Sequence, residues 1–121
     1  MMAELVPRTN VWIEVDGEVA LSRWRVELLQ AVDRTGSISA AAEAMNIQYR
    51  LAWQRLHEME ERLGVALVHS ATGGRGGGGT LLTPAAHTLI ERFLVIAQAV
   101  DGFTAEQCRL HLPSLPSRPT S

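Results

Sequence analysis

The chain has 121 residues, enough for one compact domain and too few for two. Its 46% hydrophobic and 20% charged residues are globular values, and no apolar run approaches the roughly 20 residues of a membrane span, which excludes fibrous, disordered and membrane-spanning classes. The net charge of −2, from 11 arginines, no lysine and 13 acids, gives no global electrostatic case for nucleic acid.

The local balance differs. Over residues 34–83, five arginines (Arg34, Arg50, Arg55, Arg62, Arg75) stand against four glutamates (Glu43, Glu58, Glu60, Glu61), so the middle is mildly basic and the ends acidic. The single cysteine, Cys108, cannot form an internal disulfide, and four scattered histidines beside it offer no metal-ligand spacing. Residues 1–10 lack a basic-then-apolar signal pattern, so the expected location is cytoplasmic.

Val11–Val15 alternates around Trp12 and runs into Asp16-Gly17, a pair that tolerates positive φ, predicting a hairpin with Glu18–Leu21 as its return strand. Ser22 stands as the N-cap of a first helix carrying Trp24, Leu28, Leu29 and Val32, which Thr35-Gly36 ends with Gly at C′. Ser37-Ile38-Ser39 caps a second helix over Ala40–Met45, whose small side chains allow another helix to approach closely. Asn46 suits a left-handed turn with Ile47 inward. A third helix starts near Gln48 and ends at Gly64, with Ala52, Leu56, Met59 and Leu63 as its buried stripe.

Val65–His69 and Thr80–Leu82 could pair across Ser70–Gly79, a stretch holding six of the ten glycines. Thr83-Pro84 reads as N-cap and N1 of a fourth helix, in which Ala86, Ile90, Phe93, Ala97 and Val100 form a seam that wants a partner. The composition shifts after Asp101-Gly102, and 103–121 reads as a disordered Pro/Ser-rich tail. The expected architecture is mainly α with a small β component: a winged helix-turn-helix over 11–102, with an N-terminal β-hairpin and a long C-terminal dimerisation helix.

In such a fold the third helix presents Gln48, Tyr49, Arg50, Trp53, Gln54 and His57. Arg50 and Gln54 have the geometry to read guanine and adenine edges, although an Arg and a Gln on an exposed helix are otherwise merely solvated. Trp53 is ambiguous, since an indole beside an apolar stripe is more often half-buried packing than a groove contact. Glu58-Met59-Glu60-Glu61 would repel phosphate and should point away from it. The glycine block around Arg75 lacks the Lys and following helix of a phosphate loop; it is either a wing laying Arg75 along a backbone or a plain flexible loop. No catalytic set and no cofactor site is found, so an enzyme is not expected.

Gly36-Ser37-Ile38-Ser39-Ala40-Ala41-Ala42, Tyr49-Arg50, Ala52-Trp53, Glu58-Met59, Leu67-Val68, the Ala71–Gly79 block and Leu82-Thr83-Pro84 resemble the N-terminal DNA-binding domain of ModE-type molybdenum-responsive transcriptional regulators. The winged helices of LysR-type regulators are a more distant likeness. The resemblance spans roughly 11–100 and implies a homodimer on double-stranded DNA, with Arg50 and Gln54 reading bases, Tyr49 and Arg55 positioning, Arg75 anchoring the wing, and Gln48 at the start of the recognition helix also in the DNA-binding set. The amides behind Ser39 and Thr83 would meet phosphates. Only about 20 residues follow Val100, too few for the family's molybdate-binding domains, so direct molybdate binding is not expected. The departures are Asn46, Gln48, Leu51, Ala86 and Thr88, where the family usually carries Gly, Ser, a polar or basic residue, Gly and a basic residue. They leave about three charged phosphate contacts per protomer and keep a rival open: a winged helix serving as a protein-protein interaction module.

Overall fold

A computed structural model of the chain describes residues 2–71, 79–112 and 115–116. The element order is β1 (Met2–Ala3), β2 (Trp12–Val15), β3 (Glu18–Ser22), α1 (Arg23–Thr35), α2 (Ile38–Ala44), α3 (Tyr49–Leu63), β4 (Val68–Ala71), β5 (Gly79–Leu82), α4 (Pro84–His111) and β6 (Leu115–Pro116). Two compact units result, Trp12–Phe93 and the pair of segments Met1–Val11 and Leu94–Ser121.

The larger unit opens with the expected hairpin. Asp16 at φ 52° and Gly17 at φ 81° form its turn, and the register steps between Ile13↔Leu21 and Glu14↔Val19, so Ala20 is an extra residue in β3. Ser22 caps α1 through a 3.1 Å bond from the Arg25 amide, and Gly36, at φ 84°, ends it with its N–H on Val32 O. Around α1 the core gathers Val26, Leu28, Leu29 and Val32 with Ala41 and Ala42 of α2, Ala52, Leu56 and Met59 of α3, and Leu67, all buried. Alanine on α2 is what lets α1 and α3 both pack against it.

The second hairpin pairs Val68↔Leu82 through Ala71↔Gly79. It therefore reaches two residues further out than expected and omits Val65–Leu67, where Leu67 instead enters the core and its amide bonds to Glu60. In the smaller unit β1 pairs antiparallel with β6, and Thr9 Oγ1 donates to the Asp101 carboxylate.

The expectation of a tail is overturned over 103–111, where α4 runs through Asp101-Gly102 to His111; residues 113–114 and 117–121 of the expected tail lie outside the described residues. One interior glycine costs a helix only about 1 kcal/mol, and Ala105, Glu106, Gln107, Arg109 and Leu110 are good helix formers. The Thr104 hydroxyl folds back on Val100 O at 2.8 Å, so neither it nor Gly102 breaks the ladder. No helix among the described residues is long and apolar enough to cross a membrane.

Candidate nucleic-acid interface

The turn between α2 and α3 is set by backbone chemistry. Met45 N bonds to Ala41 O, Ile47 N to Ala42 O at 2.9 Å, and Asn46 takes φ 57°, the left-handed conformation that Asn tolerates better than most residues. Ile47 is half-buried beneath it. Gln48 follows in extended conformation and makes no side-chain bond to the first turn of α3, consistent with its weakness as an N-cap.

Alanine, leucine and methionine at 52, 56 and 59 turn one side of α3 inward, and this leaves Gln48, Tyr49, Arg50, Trp53 and Gln54 exposed at its outer end. Tyr49 is 54% and Trp53 44% exposed, so Trp53 is half-buried with part of its ring facing solvent. Its ring stacks on His57, centroids 3.8 Å apart, and His57 Nδ1 lies 2.8 Å from Trp53 O. Tyr49, Arg50, Trp53 and Gln54 thus all present exposed surface in the first two turns of α3.

Arg55 stands apart from them. Its Nη1 lies 3.1 and 3.0 Å from the two carboxylate oxygens of Glu58, half-buried on the flank of α3. Glu58 also takes Arg25 Nη2 at 3.4 Å and faces Arg62 Nη2 at 3.9 Å. Arg62 in turn donates to Val19 O at 2.8 Å and pairs with Glu18 at 3.5 Å, tying α3 to the first hairpin. Glu60 accepts from the Leu67 and Val68 amides at 2.8 and 3.3 Å. Glu58 and Glu60 are therefore half-buried structural anions with partners inside the chain; Glu61 alone of the three is exposed.

Arg25 was not singled out in the sequence, yet it is the one buried charged residue among those described. Burial lowers its pKa from the ordinary arginine value, and Glu58 offsets part of that shift. The signal was available: Arg25 falls in the same stripe as Leu28, Leu29 and Val32, where an ionised group needs a buried partner.

Other expected site residues are displaced. Ser37 caps α2, its Oγ accepting from the Ala40 amide at 3.0 Å, while Ser39 lies exposed within the first turn, so no amide row stands behind Ser39. Ser37 wins because it follows Gly36 directly in extended conformation. Thr83 does cap α4, accepting from the Ala86 amide at 3.2 Å, and its hydroxyl donates to Ala66 O at 2.7 Å. That hydroxyl is spent inside the chain.

At the base of the second hairpin the Thr80 amide bonds to Gly36 O at 2.8 Å, fixing the strands to the α1–α2 corner. Arg75 and the rest of 72–78 lie outside the described residues.

The expected dimer seam also needs correction. Ala86, Phe93 and Ala97 are buried by the chain itself and are not free to cover a partner, whereas Ile90 and Val100 are half-buried and keep exposed surface. A 4-3-4-3 spacing identifies an apolar stripe but not the body that covers it. The exposed apolar residues of α4 are Leu94, Val95, Ile96, Phe103 and Leu110.

Comparison with known proteins fits this geometry. Residues 24–87 match the family of bacterial regulatory helix-turn-helix proteins of the lysR type. Over 76 residues the chain is 45% identical to the molybdenum-pterin-binding protein MopB of Rhodobacter capsulatus, covering 63% of this chain and 28% of that protein. Over 74 residues it is 40% identical to the DNA-binding transcriptional dual regulator ModE of Escherichia coli K12, covering 61% and 28%. The chain thus spans under a third of the length of these relatives. The fold resembles that of the CbnR DNA-binding domain solved in complex with DNA (TM-score 0.54, 24% identity, 72% of this chain and 93% of that one). It likewise resembles the BenM DNA-binding domain on its catB site 1 DNA (TM-score 0.53, 21% identity, 74% and 93%). The matched segment runs from α1 through the turn, α3 and the second hairpin into α4, and the chain belongs to the lysR family of bacterial regulatory helix-turn-helix proteins, a family of regulators and not of enzymes.

Proposed function

We propose that the chain is a dimeric, sequence-specific regulator of transcription that reads double-stranded DNA with α3. The observation that carries this reading is the N-terminal end of α3, where the N-cap Gln48 and Tyr49, Arg50 and Gln54 of the first two turns are all exposed, while Ala52, Leu56 and Met59 lock the helix into the core. Arg50 and Gln54 supply base-edge hydrogen bonds, Gln48 and Tyr49 lie where the backbone passes, and Arg75 adds a cation from the glycine-rich wing. The exposed Ser39 in the first turn of α2 and the N-terminus of α4 behind Thr83 are proposed as further contacts. The link to molybdenum rests on the names of the relatives. Direct molybdate binding by this chain is not proposed, and adding molybdate should leave its DNA affinity unchanged.

Dimerisation is assigned to the exposed side of α4. Leu89, Ile96, Phe103 and Leu110 recur at intervals of seven, the spacing of a coiled-coil seam, and the last three are exposed. Two recognition helices related by a two-fold would then meet half-sites one helical turn apart.

The test is titration of a labelled duplex from upstream of the chain's own transcription unit, against a scrambled duplex, at two salt concentrations. Specific binding that weakens steeply with salt supports the reading. Absence of binding by a folded dimer at low salt supports the second reading, an interaction module. That reading is favoured by the commitment of Arg55 to Glu58, which removes one phosphate contact from an already acidic chain.

A further inference from the structure

On the flank of α3, three guanidinium groups converge on one carboxylate. Arg25, Arg55 and Arg62 all lie within 4 Å of Glu58, at 3.4, 3.0 and 3.9 Å, and among the described residues the one other acid in contact is Glu18, which pairs with Arg62 and is largely exposed. The group therefore carries excess positive charge even after both acids are counted. Its members differ in accessibility: the Arg25 side chain retains 11% exposure and is walled in, whereas that of Arg55 retains 35%.

Helical geometry places this cluster beside the reading surface. At 100° per residue Glu58 projects only about 40° from Gln54, with Arg55 further round the same flank. A helix in a major groove has phosphates along its flanks, so an arginine here would ordinarily be a backbone contact. In this chain both Glu58 oxygens occupy the Arg55 donor that a phosphate would take.

We propose that Glu58 is an internal substitute for a DNA phosphate, holding Arg55 out of the interface and so limiting sequence-independent affinity. The consequence is selectivity. Backbone contacts strengthen binding to every duplex alike, while base contacts by Arg50 and Gln54 do not, so withholding one backbone cation raises the ratio of specific to non-specific binding. Arg25 and Arg62 keep Glu58 in place, and this is why a carboxylate so near a polyanion is retained. This inference rests on the proposed DNA-reading role of α3.

The experiment measures affinity for the specific and scrambled duplexes across a salt series, for the wild-type chain, Glu58→Gln, and Arg55→Ala/Glu58→Gln. Glu58→Gln should bind both duplexes more tightly, with a slope of log K against log salt steeper by about 0.9 per protomer, and the double variant should lose that gain. Should Glu58→Gln fail to fold because Arg25 is stranded, Arg25→Met/Glu58→Gln replaces the buried ion and carries the same expectation. An unchanged or shallower slope in a folded Glu58→Gln or Arg25→Met/Glu58→Gln protein overturns the proposal while leaving DNA reading by α3 intact. A wild-type chain that binds neither duplex at low salt removes both.

Discussion

Gly79 and Gly36 are in backbone contact: a Cβ built on Gly79 would lie 2.6 Å from Gly36 O, the same oxygen that accepts the Thr80 amide. The wing is thus fastened to the corner that begins the helix-turn-helix. Gly36 is needed there on its own account, because it ends α1 at φ 84°. Replacing Gly79 with Ala should shift the β5 strand and weaken the Thr80–Gly36 bond, at about 1 to 3 kcal/mol of stability. Denaturant unfolding reads the loss, and a variant as stable as wild type would show that the two backbones can separate without consequence.

Arg25 and Glu58 should respond unequally to mutation. Removing the carboxylate in Glu58→Gln strands a buried guanidinium and is expected to cost about 2 to 3 kcal/mol, whereas Arg25→Met leaves Glu58 with Arg55 and Arg62 and should change stability by about 1 kcal/mol or less. The pH dependence follows in sign. The folded state binds the Arg25 proton less tightly than the unfolded state does, so its destabilisation is present at every pH below the lowered folded value and is relieved only above it. Near neutrality Arg25 contributes no slope, and wild type and Arg25→Met should show parallel stability profiles there.

Arg50→Ala should cost about 1 to 3 kcal/mol on a specific duplex and relax base preference, without changing stability, because the side chain is exposed. Fluorescence titration against single-base variants of the site is the measurement. Equal loss on specific and scrambled duplexes would reassign Arg50 to the backbone.

Phe93 and Phe103 stand on one helix with opposite expectations. Phe93 is 1% exposed, and Phe93→Ala should cost about 3 to 5 kcal/mol. Phe103 is 65% exposed, and Phe103→Glu should leave the monomer folded while abolishing self-association in sedimentation. A Phe103→Glu protein that remains dimeric would move the interface off this face of α4.

Much of the molecule is legible in the sequence because its signals are local. Asp16-Gly17, Gly36, Asn46 and Gly64 sit where the backbone takes positive φ, Ser22 and Thr83 cap their helices, and the Ala52/Leu56/Met59 stripe faces the core. Each is decided by one residue's conformational energy or by a short spacing. What required the tertiary structure was partnership. The Arg55–Glu58 pair is itself local, three residues apart on α3, but that Glu58 also takes the buried Arg25 depends on α1 packing alongside α3; that Phe93 is covered by its own chain and Phe103 is exposed is likewise not written in the spacing. Ser37 capping α2 in place of Ser39, and Glu60 bonding the Leu67 amide, turn on how neighbouring segments enter and leave a helix. Charge and periodicity state what a side chain needs, and only the packing of distant segments states which neighbour supplies it.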